Sequence, residues 1–569
     1  MKLVIKEYLS SLNERDELDA ILPDLLSQLG LTVFGKPIRG ASERGVDVAA
    51  VGSLYGGVEK VYLFSIKAGD LTRSTWNGNE NQVLRPSLDE IIDSYIPHRL
   101  PPEHKGKPIV ICPCFGGDVQ TPVRDLFTGY IDSRTKTNEN IEFEEWNGDK
   151  LASLINDNFL HENFMPDDTR SLLRKSVSMI DEPDTSFRYF AYLVSILREA
   201  ADNAPPEKVL KSLRQINICL WILYGWSRKE KNFESAYLSS EVALLNAWHV
   251  GNDYFSRKSK NAKLIQSVIL SIKNTYFKIN HDFMTKVITP YAHEYGAISR
   301  GVCSSSTVDI NLKLFDLLGR ISILGIWLLW ELEICQQSNS ESKASEQQAL
   351  FVADCIINLI SNNPILFSPL KDEQAIDITL AVLFLVSLSK IAQVKDWLEE
   401  MLLRVSVNLS NNGAYPCILH DYMDLLEHPK NGTTEYFEES TAGSILYSNI
   451  GCFSALFNFD ELYTKLSEIQ TNHLSHCSIQ LWYPDEESEK ELYIGGKYHG
   501  FCLSDFDFKL TKNELLSDIF SECRETQYFE NLSAIKYGLY PIVLMACRAY
   551  KLPVPPHFFL PFESKIKAV

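Results

Sequence analysis

The hydrophobic periodicity of the chain changes near residue 184, and this change limits its possible folds more than any other sequence feature. Up to about residue 160, helical and extended patterns alternate; after residue 184, long amphipathic segments follow one another and strand patterns nearly vanish. Alternating patterns are typical of an α/β layer, and consecutive helices of a bundle or stacked array. We expect an α/β domain over 1–160, a linker over 161–184 and an all-α helical array over 185–569.

The first region carries nine predicted elements in the order α-β-β-β-α-β-α-β-α. Short connections that contain glycine separate the first three strands, which predicts a meander. The fully apolar run at 109–114 predicts a strand buried on both faces. The predicted helices cover 18–29, 87–96, 121–130 and 149–158, and the predicted strands cover 31–34, 46–51, 61–66, 109–114 and 141–146.

The second region is predicted to be helical throughout. Its most apolar stretches, 321–330 and 378–388, are shorter than the roughly 18 residues of a membrane-spanning helix, so we expect buried helices and no membrane association. The polar segment 336–348 predicts a surface loop that divides the array, and 552–562 predicts an extended segment on the last helix or, as an alternative, a partner-docking peptide. The predicted helices cover 187–201, 208–226, 235–250, 264–277, 312–335, 347–360 and 394–410.

Charge and cysteine usage restrict the class of protein. The 569 residues include 55 Lys and Arg against 74 Asp and Glu, a formal charge of −19, and residues 1–160 carry 17 against 24. This acidity argues against non-specific binding of polyanions, so a nucleic acid would need a local groove. Twelve scattered cysteines without a CxxC pair, and an N-terminus without a secretory pattern, favour a reduced cytoplasmic protein.

Chemistry is best supported in two neighbouring segments, RGASERGVDVAAVG (39–52) and VYLFSIKAGDLTRSTWNG (61–78). Side chains alternate along a strand, so Ser65 and Lys67 share one face. If the two strands pair, Asp47 can project into the same cleft as Lys67. Carboxylate and carbonyl oxygens suit Mg²⁺, and a lysine ammonium stabilises charge on a phosphate under attack. This is a layout for phosphodiester hydrolysis.

Over roughly residues 15–160 the chain resembles the restriction-endonuclease-like PD-(D/E)xK nucleases, and within them the Mrr-like branch. The likeness rests on the motifs LLSQLGL, GVDVAA and FSIKAGD and on the element order. It implies that Asp47 binds the metal, that Lys67 is catalytic and that Ile66 offers its backbone carbonyl to the metal. The acidic residue of the first helix would be Asp19, with Asp24 as second choice.

The implied activity is metal-dependent hydrolysis of DNA by an endonuclease that uses Mg²⁺ or Mn²⁺. The same likeness implies a regulated effector in prokaryotic anti-phage defence, held in check by a sensor protein or by homo-oligomerisation. That biological role rests on analogy of fold. RNA stays open as a second substrate.

Ser65 departs from the family pattern, which most often has Glu, Asp or Gln two positions before the lysine. A hydroxyl is a poor Mg²⁺ ligand. Either another carboxylate replaces it, with Glu43 the first candidate and Asp70 the weaker one, or the site is impaired. An impaired site would leave a nuclease-fold scaffold or a nucleic-acid-binding subunit of a larger complex.

Three further residues are candidates for contact with nucleic acid. Arg44 and Arg73 flank the proposed site in sequence and could hold phosphates, although solvated surface arginines are the commoner case. Trp76 could stack on a base or simply pack in the core. His473, His476 and Cys477 lack a second ligand pair, and we do not expect them to bind zinc.

Overall fold

The computed structural model describes residues 2–10, 12, 14, 18–35, 44–54, 56–78, 83–138, 140–158, 169–337, 343–430, 433–504 and 506–566. They form two compact units. The first comprises residues 1–250 and 258–275, and the second comprises residues 251–257 and 276–569.

A five-stranded mixed sheet lies at the centre of the first unit. Its strands are β1 (Thr32–Gly35), β2 (Val48–Gly52), β3 (Lys60–Lys67), β4 (Ile109–Phe115) and β5 (Ile141–Phe143). Their spatial order is β1-β2-β3-β4-β5. The first three strands pair antiparallel, whereas β3 with β4 and β4 with β5 pair parallel. The predicted meander and the predicted buried strand at 109–114 are therefore confirmed.

Helices cover the sheet and extend the first unit beyond it. Parallel pairing of β3 with β4 requires a crossover connection, whose described residues form three α-helical segments, a π-helical turn at Ile91–Tyr95 and a 3-10 turn at Pro102–His104. The helices that begin in the first unit are α1 (Lys2–Ser10), α2 (Asp19–Gln28), α3 (Arg73–Asn77), α4 (Leu84–Glu90), α5 (Ile96–His98), α6 (Thr121–Thr137), α7 (Gly148–Asn158), α8 (Thr169–Ser178), α9 (Pro183–Ala201), α10 (Pro206–Glu230), α11 (Glu234–Gly251) and α12 (Lys260–Phe283).

The units divide near residue 250 and not at the linker expected over 161–184. Helix α8 occupies part of that segment, and its buried Leu172 and Leu173 give it a core-facing side. Helix α10 packs against α1, α8 and α9. The first helices of the predicted array therefore belong to the same compact unit as the sheet.

Glycines allow the backbone to pack closely where β4 ends. A Cβ atom added to Gly116 would lie 2.0 Å from the carbonyl oxygen of Leu9 in α1, and one added to Gly148 would lie 2.2 Å from the carbonyl oxygen of Gly116. The amide of Gly148 donates a 2.8 Å hydrogen bond to the carbonyl oxygen of Gly117. Backbone contacts thus fix α1 and α7 against the end of β4, where a larger residue would not fit.

Gly116→Ala should therefore destabilise this junction, with an expected loss of about 1 to 3 kcal/mol in the opening free energy of β4. Gly129→Ala is the matched control, because Gly129 lies in α6 with nothing within 4 Å of the added Cβ. The control should stabilise by up to about 1 kcal/mol through its better helix propensity. Hydrogen exchange of the β4 amides measures the opening free energy of β4 in both variants, and equal protection in the two variants would contradict the close packing.

The second unit is built mainly from helices. Helix α14 contains the apolar stretch 321–330 and α16 contains most of 378–388, and both stretches are largely buried, as predicted. Helices whose residues lie wholly in this unit are α13 (Ala297–Gly301), α14 (Thr307–Gln337), α15 (Lys343–Asn362), α16 (Ala375–Ser387), α17 (Ile391–Ser410), α18 (Tyr422–Glu427), α19 (Thr434–Ser440), α20 (Leu446–Leu456), α21 (Asp460–Asn472), α22 (Ser488–Glu491), α23 (Lys512–Glu525), α24 (Tyr528–Asn531), α25 (Ser533–Lys536), α26 (Pro541–Tyr550) and α27 (Leu560–Ile566).

Four short strands show that this region is not all-α as expected. They are β6 (Gly443–Ser444), β7 (Ser478–Ile479), β8 (Leu481–Tyr483) and β9 (Phe501–Leu503), and they pair as β6 with β7 and β8 with β9. Strands of two or three residues are too short to show a period-two pattern, which explains why the sequence does not reveal them.

Two other local expectations need correction. The predicted loop 336–348 is shorter, because α14 reaches Gln337 and α15 begins at Lys343. The predicted extended segment 552–562 contains a 3-10 turn at Pro556–Phe559 and the start of α27. Among the described residues, none of the helices combines the length and apolarity needed to cross a membrane.

Buried charges connect three helices of the second unit. The carboxylate of Asp316 in α14 lies 2.6 Å from the Arg320 guanidinium and 3.0 Å from that of Arg548 in α26. Burial opposes ionisation of Asp316, but the two arginines outweigh it and lower its pKa. Asp377 in α16 pairs with Lys551, directly after α26, at 3.3 Å. Arg320, Arg548 and Asp377 are buried, so removing the partner of any of them leaves a buried charge uncompensated, and these pairs act as internal cross-links.

Candidate active site

The start of β2 and the end of β3 meet at one edge of the sheet. Asp47 directly precedes β2, and its amide donates a 2.8 Å hydrogen bond to the carbonyl oxygen of Phe64. Its carboxylate Oδ2 accepts a 2.6 Å hydrogen bond from the amide of Ile66. Asp47 is thus hydrogen-bonded to the backbone of the residue that precedes Lys67.

Backbone packing fixes the approach of Asp47 to β3. Gly45 has a φ of +79°, and a Cβ added there would lie 2.1 Å from the carbonyl oxygen of Ser87 in α4. The turn before Asp47 therefore rests directly on α4. On the other side, burial raises the pKa of the Cys114 thiol in β4, and the negative charge of Asp47 raises it further. The carboxylate accordingly lies close to the end of the central strands.

Lys67 is nearly buried and its charge is neutralised within the fold. Its side chain is 8% exposed, and its Nζ lies 3.2 Å from Oε1 of Glu14, which precedes α2. A buried ammonium without a counter-charge is costly, so this ion pair is part of what keeps Lys67 at the strand end. Sequence reasoning missed Glu14, because 53 residues separate it from Lys67 and no spacing links the two.

Ser65 lies between these charged groups in sequence and is fully buried. Strand alternation puts it on the same face as Val61 and Leu63, which belong to the hydrophobic core under α4 and α6. Its hydroxyl has no hydrogen-bond partner among the described residues. A buried hydroxyl without a partner costs free energy, so Ser65 adds no stabilising hydrogen bond within the described residues.

The other predicted acidic residues are placed differently. Asp19 lies half-buried in the first turn of α2. Burial lowers the pKa of Arg214 in α10 and the carboxylate of Asp24 opposes that shift, so Asp24 lies near α10. Glu43 lies outside the described residues, and its role as a metal ligand stays a prediction.

Asp70 has a structural partner set. Its Oδ1 accepts a 2.8 Å hydrogen bond from the amide of Asp118, and its Oδ2 accepts a 3.4 Å bond from the side chain of Gln120. These bonds hold the loop after β4 against the loop after β3. This placement gives Asp70 a structural role, and its part as a metal ligand stays a prediction.

The candidates for nucleic-acid contact fall into two groups. Arg44 and Arg73 are exposed, as a phosphate contact requires, and their contact with nucleic acid stays a prediction. Trp76 is 2% exposed. Its ring packs edge-on against Phe127 and Tyr130 at 5.5 and 5.4 Å. Of the two interpretations of Trp76, core packing is therefore the one that the structure supports, because a base cannot reach this ring without displacing α6.

The residues present are compatible with a weakly held Mg²⁺. No group of three or more His, Cys, Asp or Glu side chains suited to a metal occurs in the described part of the chain. Mg²⁺ is, however, commonly held by one or two carboxylates, with waters and substrate phosphates completing its coordination. Asp47 and the adjacent backbone of Ile66 supply hard oxygen donors of this kind. A metal at this edge would thus depend on the substrate for part of its coordination.

Comparison of the chain with protein-family models, with curated proteins and with solved structures gave no match. The geometry of this edge of the sheet is therefore the basis for any functional assignment.

Glu14→Gln should weaken the sheet edge, because it leaves the Lys67 ammonium without its counter-charge at nearly constant side-chain volume. We expect a loss of about 2 kcal/mol in the opening free energy of β3, and most of it should return when Lys67→Met is added. Hydrogen exchange of the β3 amides measures this quantity.

The matched control for this pair is Glu142→Gln. Glu142 pairs with Lys60 at the other end of β3, at 2.6 Å but with side chains 56% and 27% exposed. An exposed pair contributes less than about 1 kcal/mol. Equal effects of Glu14→Gln and Glu142→Gln would contradict a specific role for the buried pair.

Proposed function

We propose that the first unit is a metal-dependent endonuclease that hydrolyses phosphodiester bonds of DNA. The observation that carries this proposal is the hydrogen bond from Ile66 to the Asp47 carboxylate, which brings a carboxylate to the residue beside Lys67. A carboxylate and a lysine at one strand end are the groups that a metal-assisted attack on phosphate needs. The mixed sheet, with its antiparallel β1-β2-β3 and parallel β3-β4, supports the same proposal.

In the proposed reaction Asp47 and the backbone carbonyl of Ile66 would hold Mg²⁺ or Mn²⁺, with Glu43 or Asp19 as further acidic ligand. The metal would supply an activated water and a Lewis acid for the phosphate. Lys67 donates hydrogen bonds to the phosphate oxygens as negative charge builds on them. Its ion pair with Glu14 must open, or be shared with the phosphate, for this to happen.

The charge balance favours a regulated enzyme. Residues 1–160 carry seven more acidic than basic residues, so the site would attract DNA poorly without help. We therefore expect low activity from the isolated chain and stimulation by a protein partner or by self-assembly. A role as an effector of prokaryotic anti-phage defence is the biological setting that the family resemblance implies.

A second function, a nucleic-acid-binding scaffold with an impaired site, is favoured by one specific observation. Ser65 replaces the usual second acidic residue, and its hydroxyl is buried without a described partner. A carboxylate at this position would complete the metal site, whereas a hydroxyl contributes little to Mg²⁺ binding. The neutralised charge of Lys67 points the same way.

Cleavage assays distinguish these functions. Purified full-length chain is incubated with supercoiled plasmid and with RNA, in Mg²⁺, Mn²⁺ or EDTA. We expect metal-dependent cleavage of DNA that Asp47→Asn and Lys67→Met each reduce by about a hundredfold or more, because both remove charge stabilisation at the phosphate. Lys60→Met, at the opposite end of the same strand, is the matched control and should leave the rate unchanged.

The Ser65→Asp variant separates the active from the impaired site. Cleavage by this variant and none by the wild type would establish an impaired site. If the wild type cleaves DNA and the Asp47→Asn and Lys67→Met variants each cleave it at the same rate, the proposed residues are rejected. No cleavage by any of these proteins, alone or with candidate partner proteins, would leave no support for an endonuclease.

A further inference from the structure

A compact lobe of the second unit, residues 415–440, presents apolar and acidic side chains together. Its interior is formed by aromatic rings, with Tyr415 edge-on to His428 at 4.5 Å and to Phe437 at 5.2 Å. His428 also hydrogen-bonds to the hydroxyl of Tyr436 at 2.9 Å. The amide of Ile418 donates to the carbonyl oxygen of Ser440 at 2.9 Å, which joins the two ends of the segment. Contacts within the 415–440 lobe thus hold its segments together, and the amide of Cys417 joins the lobe to the rest of the unit by a 3.0 Å hydrogen bond to the carbonyl oxygen of Leu370.

Helix α18 of this lobe is apolar on the side that faces solvent. Leu425 points inward and packs with Leu370 and Cys417. On the outer side Tyr422, Met423 and Leu426 are 42%, 61% and 41% exposed. Adjacent exposed apolar side chains of this kind offer a small surface for contact with an apolar partner.

The apolar face is ordered in advance of any contact. The Tyr422 hydroxyl donates a 2.5 Å hydrogen bond to Asp309, which fixes the ring although much of it is exposed. The Asp421 carboxylate caps α18 by accepting hydrogen bonds from the amides of Met423 and Asp424 at 2.8 and 3.3 Å. A rigid, pre-formed surface loses little conformational entropy when it binds. Met423 adds an adaptable thioether side chain at its centre.

Six acidic residues of the lobe, which we call the acidic rim, accompany this face, and three of them lie on α18 or directly before it. Between residues 415 and 440 the sequence has six carboxylates against a single lysine, and Lys430 is paired with Glu427 at 2.8 Å. The six, all exposed, are Asp421, Asp424, Glu427, Glu435, Glu438 and Glu439. No described basic side chain forms an ion pair with the last three or with Asp424. The lobe therefore carries uncompensated negative charge around an apolar centre.

We propose that the 415–440 lobe docks a basic amphipathic helix of a partner protein. An apolar stripe flanked by Lys or Arg complements both the apolar centre and the acidic rim. The negative charge repels nucleic acid and anionic membranes, and a second copy of the chain would bring two acidic lobes together. The face is small, so a transient contact of about micromolar affinity is expected.

The test uses a synthetic probe, a fluorescent peptide of about 18 residues in which leucines recur at helical spacing among lysines. Its affinity for the full-length chain is measured by fluorescence anisotropy. Met423→Ser with Leu426→Ser, and separately Glu435→Lys with Glu438→Lys, should each weaken binding about tenfold or more. Raising NaCl from about 0.05 M to about 0.5 M should also weaken binding, because salt screens the acidic rim.

Matched controls are needed because the whole chain is acidic. Tyr498→Ser replaces a side chain that is 95% exposed elsewhere in the same unit, and Glu461→Lys with Glu530→Lys reverses two exposed charges outside the lobe. Both controls should change the affinity less than about twofold, since neither alters the docking surface. A second peptide has the same composition but no apolar stripe. Its affinity for the wild-type chain should be no higher than the affinity of the striped peptide for the variant with Met423→Ser and Leu426→Ser.

Three results would overturn the proposal. The first is unchanged affinity in the variants of the lobe, and the second is a loss in the controls as large as in those variants. The third is a sedimentation result in which the wild type is a dimer and the variant with Met423→Ser and Leu426→Ser is a monomer. This result would assign the face to a second copy of the chain. Circular dichroism checks that each variant is folded.

Discussion

Strand β3 is paired on both sides and covered on both faces, and the arrangement of the first unit depends on this position. It pairs antiparallel with β2 and parallel with β4 along most of its length, and seven of its eight residues are buried. A polar group in such a strand must find a partner or cost free energy. Lys67 therefore needs Glu14, and this requirement ties the segment before α2 to the sheet. The same burial leaves Ser65 without a described partner.

Much of the first unit could be predicted from the sequence because its elements differ in hydrophobic pattern. The glycine-rich connections predict the meander, and the apolar run of β4 predicts a strand with both faces covered. The hydrogen bond of Asp47 to the residue before Lys67 follows the expected pairing of the two strands, because strand alternation and pairing are local rules. Each of these predictions rests on residues that are close in the chain or on one strand pair.

Features that depend on distant contacts could not be predicted. The pairing of Glu14 with Lys67 has no sequence signal beyond an acid-rich stretch before α2. The burial of Trp76 depends on α6, which follows some 50 residues later. The segment that forms α8 was expected to be a linker because most of its residues are polar. Its apolar residues lie on one side, which packs on other helices of the unit. Tertiary packing overrides local preference at these places.

The formal charge of −19 has different consequences in the two units. At the sheet edge it is an obstacle to DNA, because the proposed site must bind a polyanion within an acidic domain. In the second unit the acidic residues of the 415–440 lobe are the basis of the proposed contact with a basic partner. These consequences follow from the distribution of charge rather than from its total.

The central claim is that Asp47 forms part of a metal site beside Lys67. Calorimetric titration of Mn²⁺ into the metal-free full-length chain tests it most directly. The account predicts one saturable site in the wild type that is lost in Asp47→Asn, while the surface variant Asp125→Asn, on the exposed side of α6, still binds. Equal saturable binding of Mn²⁺ by the wild type and by Asp47→Asn would contradict this claim. So would the absence of Mn²⁺ binding by the wild type, both with and without an uncleavable DNA.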